Sequence, residues 1–193
     1  MLDYIKGEIV ELAPTHIILE QNGIGYEINI SLYSYSQLQD LKKCQIFLHQ
    51  VIREDAHLLF GFSSTEERRV FRLLISVSGV GANTARMILS SMSSQEVEQA
   101  IAEGNVGILQ SIKGIGAKSA QRIIIDLKDK VIKTSDSLQI LRSTDNTIKN
   151  EALSALEILG FSKKQSEKVV DKLLLKNAQL PVEDLIKQAL KLL

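Results

Sequence analysis

Two tripeptides, Gly79-Val80-Gly81 and Gly114-Ile115-Gly116, carry the strongest chemical signal in this sequence. Paired glycines around one apolar residue permit a tight turn with unusual backbone angles and remove side chains that would block a ligand. Where such a turn runs straight into a helix, unpaired N–H groups point outward beside the positive end of the helix dipole. That arrangement suits a phosphate. Both tripeptides sit inside a longer repeat: Leu74–Ile88 aligns with Leu109–Ile123 at a constant offset of 35 residues. Each copy gives an apolar helix, the Gly-apolar-Gly turn, and a second helix with an alanine, Ala85 or Ala120, four residues beyond the last glycine. Val80 and Ile115 are placed to plug the turns onto a core, and the alanines let paired helices pack closely.

A single Gly-x-Gly reads as an ordinary tight turn between helices. Two copies in fixed register, with matched apolar and alanine positions, read as tandem helix-hairpin-helix elements that grip nucleic-acid phosphates. This nominates Gly79, Val80, Gly81, Asn83 and Thr84 in the first copy as DNA-binding. In the second copy it nominates Gly114, Ile115, Gly116, Lys118, Ser119 and Arg122. Main-chain donors carry no base information, so the expected binding is independent of DNA sequence. A nucleotide site is excluded by spacing. No glycine directly precedes Lys118 and no strand leads into that turn, so the P-loop pattern is incomplete, and both copies lack the third glycine of the dinucleotide fingerprint. Arg86 and Arg122 fall one turn into the following helices at different offsets, where a solvated helix face and a DNA contact are both open readings. His16, His49 and His57 are scattered, and a structural role is expected for each. Neither a metal site nor a cofactor is expected.

The elements that must position these turns fall into segments. Residues 1–63 read as short strands over Asp3–Leu12, Thr15–Glu20, Gly25–Ile30, Gln45–Ile52 and His57–Phe62. Five strands at this spacing suggest a small barrel of the OB type, with an SH3-like barrel as the alternative. From Ser64 or Thr65 the period turns helical to about residue 133, with acids in the first turn where the dipole favours them. Residues 134–147, mostly Ser, Thr, Asp and Asn, are expected as a flexible linker. Residues 148–193 are expected as three short helices: one ending at Gly160, one opening at Ser162 with Gln165 in the capping-box position, and one starting at Pro181. The fold class is therefore multidomain α+β.

Net charge is zero over 193 residues, but the average hides a gradient. Residues 1–63 hold 4 Lys/Arg against 8 Asp/Glu, residues 64–133 hold 10 against 7, and residues 134–193 hold 9 against 8. The basic excess falls on the segment with the glycine turns, where a phosphate footprint belongs. Cys44 is the only cysteine, which excludes an internal disulfide. With no basic-then-apolar leader and no apolar run of bilayer length, a cytoplasmic protein is expected.

With these residues in hand, the whole chain resembles the RuvA family, the Holliday-junction-binding subunits of the bacterial branch migration complex. The likeness rests on the paired hairpins, on Tyr4-Ile5-Lys6-Gly7-Glu8-Ile9-Val10-Glu11 followed by Gly23-Ile24-Gly25-Tyr26-Glu27-Ile28, and on Arg53-Glu54-Asp55-Ala56 before Leu58-Leu59-Phe60-Gly61-Phe62. The resemblance implies an OB barrel, a tandem hairpin domain and a tethered, UBA-like C-terminal module. It implies a non-catalytic homotetramer on four-way junction DNA, with an octamer as the alternative, acting in recombination, repair and the SOS response to DNA damage. It further implies that Glu54 and Asp55 form an acidic pin at the strand crossover, a pair that by itself reads as a solvated turn. The C-terminal module would dock RuvB, the hexameric ATPase, with Leu185, Ile186 and Leu190 of the last helix as candidate contacts. The RuvC resolvase is a further implied partner. The chain departs from relatives at Asn83, where a basic residue is common, so the first hairpin is expected to contribute less to salt dependence than the second.

Overall fold

The computed structural model describes residues 2–140, 144–177 and 180–193, with the side chains of 133–140, 144–147 and Lys176 excepted. Five strands, β1 (Tyr4–Leu12), β2 (His16–Gln21), β3 (Ile24–Ile30), β4 (Lys43–Ile52) and β5 (His57–Phe62), close in the order β1-β2-β3-β5-β4. All pairings are antiparallel except β3 with β5, where Asn29 lies opposite Phe60 and Ile30 opposite Gly61. Alternation along the strands sends Ile17, Leu19, Ile28, Ile30, Ile46 and Leu48 into one apolar core. This order selects the OB-type barrel over the SH3-like alternative.

A helix that the sequence reading did not anticipate, α1 (Leu32–Leu38), joins β3 to β4. At seven residues it is too short to display a period, and its signal is local: the Ser31 hydroxyl accepts from the Ser34 N–H at 3.0 Å as an N-cap. Helices α2 (Thr65–Ile75), α3 (Ala82–Ser91), α4 (Ser94–Glu103), α5 (Val106–Gln110) and α6 (Ala117–Ile140) follow. Ser64 caps α2 and Ser93 closes a full capping box with Glu96 on α4.

Barrel and hairpins share one interior. Phe60 and Phe62 of β5 belong to the same buried cluster as Phe71, Leu74, Ile88 and Leu127, and the Phe62 and Phe71 rings lie 4.8 Å apart. A polar knot reinforces the joint. Glu67 of α2 is fully buried and accepts hydrogen bonds from the hydroxyls of Ser31, Ser34 (2.6 Å) and Ser63 (3.4 Å). Arg68 is buried beside it in the same helix turn and donates to the Asp3 carboxylate at 2.7 Å and to the Leu48 carbonyl at 3.3 Å.

The chain divides into two compact units, Met1–Ile132 and Lys133–Leu193. In the second, α7 (Thr144–Ile158), α8 (Lys163–Lys176) and α9 (Val182–Ala189) enclose Ala152, Leu153, Leu156, Val170, Leu173, Leu185 and Ala189. The segment 134–147, expected from sequence as a flexible linker, carries helical backbone at both of its ends. Helix α6 continues to Ile140 and α7 begins at Thr144; residues 141–143 lie outside the described residues. No Gly or Pro occurs between Ala117 and Ile140, so the sequence holds no breaker that would end α6 before that point.

Candidate nucleic-acid interface

The two glycine turns are built identically. Val77 N–H donates to the Leu74 carbonyl (3.1 Å) and Val80 N–H to Val77 (3.0 Å); 35 residues on, Ile112 donates to Leu109 (3.4 Å) and Ile115 to Ile112 (3.1 Å). Each helix then starts with the same bond, Ala85 N–H to Gly81 (2.9 Å) and Ala120 N–H to Gly116 (3.0 Å). Gly79 and Gly114 hold φ of +88° and +91°, which explains a glycine at each on conformational grounds alone. Gly81 instead has φ −82° and ψ 167°, an ordinary extended conformation. A Cβ added at Gly81 or Gly116 meets nothing within 4 Å. The protein's own packing does not require glycine at those two positions, whereas a surface that must approach a ligand closely does.

Gly79, Gly81, Asn83, Gly114, Gly116 and Lys118 are exposed, and Thr84 and Ser119 are half-buried in the first helical turns. No side chain caps α3 at Gly81, so the first-turn amides have neither an intrahelical partner nor a side-chain one. Each turn thus presents main-chain donors and a helix dipole to solvent, an arrangement fitted to an anionic oxygen. Val80 and Ile115 sit differently from the other nominated residues. Both are only 6% exposed, and both amides are already bonded within the turn. Their part is to plug the turn onto the core, because the apolar side chain that anchors the hairpin cannot also face a ligand. Ala85 and Ala120, fully buried, let α3 and α6 lie against the preceding helices.

The two candidate arginines behave differently from lysine at the turn. Arg122 is exposed but donates to the Ser78 carbonyl at 3.3 Å, linking the second hairpin to the first loop. Arg86 turns inward to the Thr15 carbonyl at 2.8 Å, and burial lowers its pKa from the usual arginine value. Neither contact could be read from spacing, since both partners are distant in sequence. Lys118 shares a shallow groove with Gln121, Arg122, Ile125 and Asp126.

Glu54 and Asp55 occupy the exposed tip between β4 and β5, closed by the Arg53 N–H to the Ala56 carbonyl at 2.8 Å. His49 packs edge-on to Phe71 at 5.4 Å, and burial lowers its pKa, with Arg72 and Arg68 acting in the same direction. Among the described residues no three His, Cys, Asp or Glu side chains come together as a metal cluster. No helix among them is long and apolar enough to cross a membrane.

In the C-terminal unit Leu185 is fully buried in the module's own core, Ile186 is half-buried, and Leu190 is 41% exposed. Leu185 is therefore corrected from a candidate contact to a core residue: the three helices need its side chain to close their small interior. Apolar residues that the sequence reading passed over stand out instead, Ile158 at 86% and Leu175 at 89% exposure. They lie beside the buried stripe, so their exposure depends on how the helices pack.

A closed OB-type barrel carrying tandem helix-hairpin-helix turns defines a multidomain α+β protein of the hairpin-bearing, nucleic-acid-binding class. Comparison with known families agrees segment by segment. Residues 1–61 match the RuvA N terminal domain, residues 71–129 the SAM-like helix-hairpin-helix tandem, and residues 147–193 the RuvA C-terminal domain. Over 191 residues, 99% of each chain, it is 51% identical to the Holliday junction branch migration complex subunit RuvA of Christiangramia forsetii. It is equally similar to that of Flavobacterium psychrophilum, and 52% identical over 198 residues and the full length of both chains to that of Azobacteroides pseudotrichonymphae. The chain belongs to the RuvA family.

Proposed function

We propose that this chain binds four-way DNA junctions without reading their sequence, holding the junction open for branch migration. The observation that carries this is the pair of turns closed by matching hydrogen bonds, each leading into a helix whose first-turn amides have no partner within the helix, with a glycine the fold does not need. The relatives' shared name, Holliday junction branch migration complex subunit RuvA, supports the same reading. In it, Gly79, Gly81, Asn83, Thr84, Gly114, Gly116, Lys118 and Ser119 line the phosphate contacts. Residues 1–63, 64–133 and 148–193 act as barrel, DNA-gripping and partner-docking domains, with 134–147 as the tether between them.

The chain itself is non-catalytic and works as a cytoplasmic homotetramer. A segment with a small basic excess grips weakly, but four copies with two turns each act at high effective concentration on one substrate. A heterologous interface that closes gives four-fold symmetry matched to four arms. Glu54 and Asp55 then face the crossover, where carboxylates repel phosphate and steer strands into neighbouring arms. At about 6 Å in water each such pair costs only roughly 0.7 kcal/mol, which biases strand paths without preventing binding. The exposed apolar residues of the C-terminal module receive the RuvB motor, and the same assembly admits RuvC.

Gel shifts of a four-way junction and a linear duplex of matched length, with magnesium and a denaturing lane, test this. The scaffold reading predicts preference for the junction and no cleavage product. Equal affinity points to a general duplex adaptor, and a metal-dependent product points to a nuclease.

A further inference from the structure

Arg86 lies five residues beyond Gly81, yet its guanidinium is committed to the barrel. Nη1 donates to the Thr15 carbonyl at 2.8 Å and approaches Asn29 Oδ1 at 3.4 Å. Thr15 closes the β1–β2 turn, and its carbonyl also accepts from the Ile30 N–H at 3.1 Å. Asn29 lies in β3, and its Nδ2 donates to the Leu59 carbonyl of β5 at 3.2 Å. Strand β5 pairs with β4 in the hairpin whose tip carries Glu54 and Asp55. A single side chain therefore connects the helix behind the first glycine turn to the barrel wall and, through Asn29, to the base of the acidic hairpin. The repeat has no counterpart: 35 residues on stands Gln121, which is exposed.

We propose that Arg86 is a positioning residue for junction recognition, fixing the first phosphate turn relative to the acidic tip without itself touching DNA. The inference rests on the junction-binding reading above. A linear duplex needs only the local contacts of a turn. A four-way junction must meet turns and tip together at fixed spacing, so loosening their relative placement removes the gain from simultaneous engagement. A second tie, the Leu32 N–H to Ser90 Oγ at 3.1 Å, also holds α3 near the barrel, so losing Arg86 loosens the joint without releasing it.

The test compares wild type, Arg86→Met, Asn29→Ala and the double variant. Dissociation constants are measured for a four-way junction and a linear duplex of matched length over a salt series, alongside thermal midpoints. Arg86→Met keeps the aliphatic stem and should lose roughly tenfold of the junction-over-duplex preference, almost all on the junction side, with the salt slope unchanged. Asn29→Ala, which leaves the Thr15 bond, should lose less in the same direction, and the double variant should be no worse than Arg86→Met. An unchanged preference in both single variants overturns the proposal. So does equal weakening on both substrates with a shallower salt slope, the signature of a phosphate contact. If Arg86→Met fails to fold, Asn29→Ala and its salt slope decide. If wild type shows no junction preference, the junction-binding reading fails and the brace fails with it.

Discussion

Gly81 and Gly116 have side-chain space that the fold leaves empty, while Gly79 and Gly114 have backbone angles that other residues resist. The two pairs should separate cleanly on mutation. Gly79→Ala and Gly114→Ala should each destabilise by about 1–2 kcal/mol through left-handed strain. Gly81→Ala and Gly116→Ala should stay within about 1 kcal/mol of wild type, since lost capping and reduced unfolded-state entropy offset each other. They should nonetheless weaken junction binding, because the new methyl would stand in the proposed path of the phosphate. Chemical denaturation paired with binding isotherms checks both halves. Asn83 tests the charge side of the same turn: Asn83→Lys should tighten binding and steepen the salt slope by about 0.9 for each newly engaged phosphate. Lys118→Ala should do the reverse.

Among the elements, the joint between barrel and α2 carries a pH signature at Glu67. Burial raises the pKa of Glu67 above the ordinary carboxyl value, against the opposing hydrogen bonds from Ser31, Ser34 and Ser63. A raised folded-state pKa means the folded protein binds the proton more tightly than the unfolded chain. That contribution is fully present below the unfolded value and is lost as pH rises through the folded one. Glu67→Gln removes the titration, so its thermal midpoint should gain on wild type as pH rises from about 5 to about 8. A constant difference would mean the carboxyl titrates alike in both states. The same scale shows what was legible beforehand. The strands and both hairpins announce themselves through local period and a 35-residue repeat, so they were readable. Helix α1 is too short for a period, and α6 runs on past polar residues for want of a breaker. The commitments of Arg86 to Thr15 and of Arg122 to Ser78 are tertiary facts with no local trace. Leu185 and Leu190 look alike in sequence, and only the packing of α7, α8 and α9 makes one core and the other surface.

At the scale of the whole molecule, the first unit carries the two turns proposed to meet DNA, and the second carries exposed apolar residues. Deleting residues 148–193 should leave junction affinity within about twofold and abolish stimulation of the ATPase motor. Retained stimulation would remove the docking role. Neutralising Glu54 and Asp55 together should leave junction binding intact or tighter while altering migration, and clearly weaker binding by a folded tetramer would count against the pin. The most direct measurement is amide hydrogen exchange across residues 81–84 and 116–119, with and without a saturating four-way junction. Free, these first-turn amides lack helix partners and should exchange fast; bound, both sets should be protected together, for junctions of any sequence. Full junction occupancy with either set still exchanging at its free rate would contradict the account.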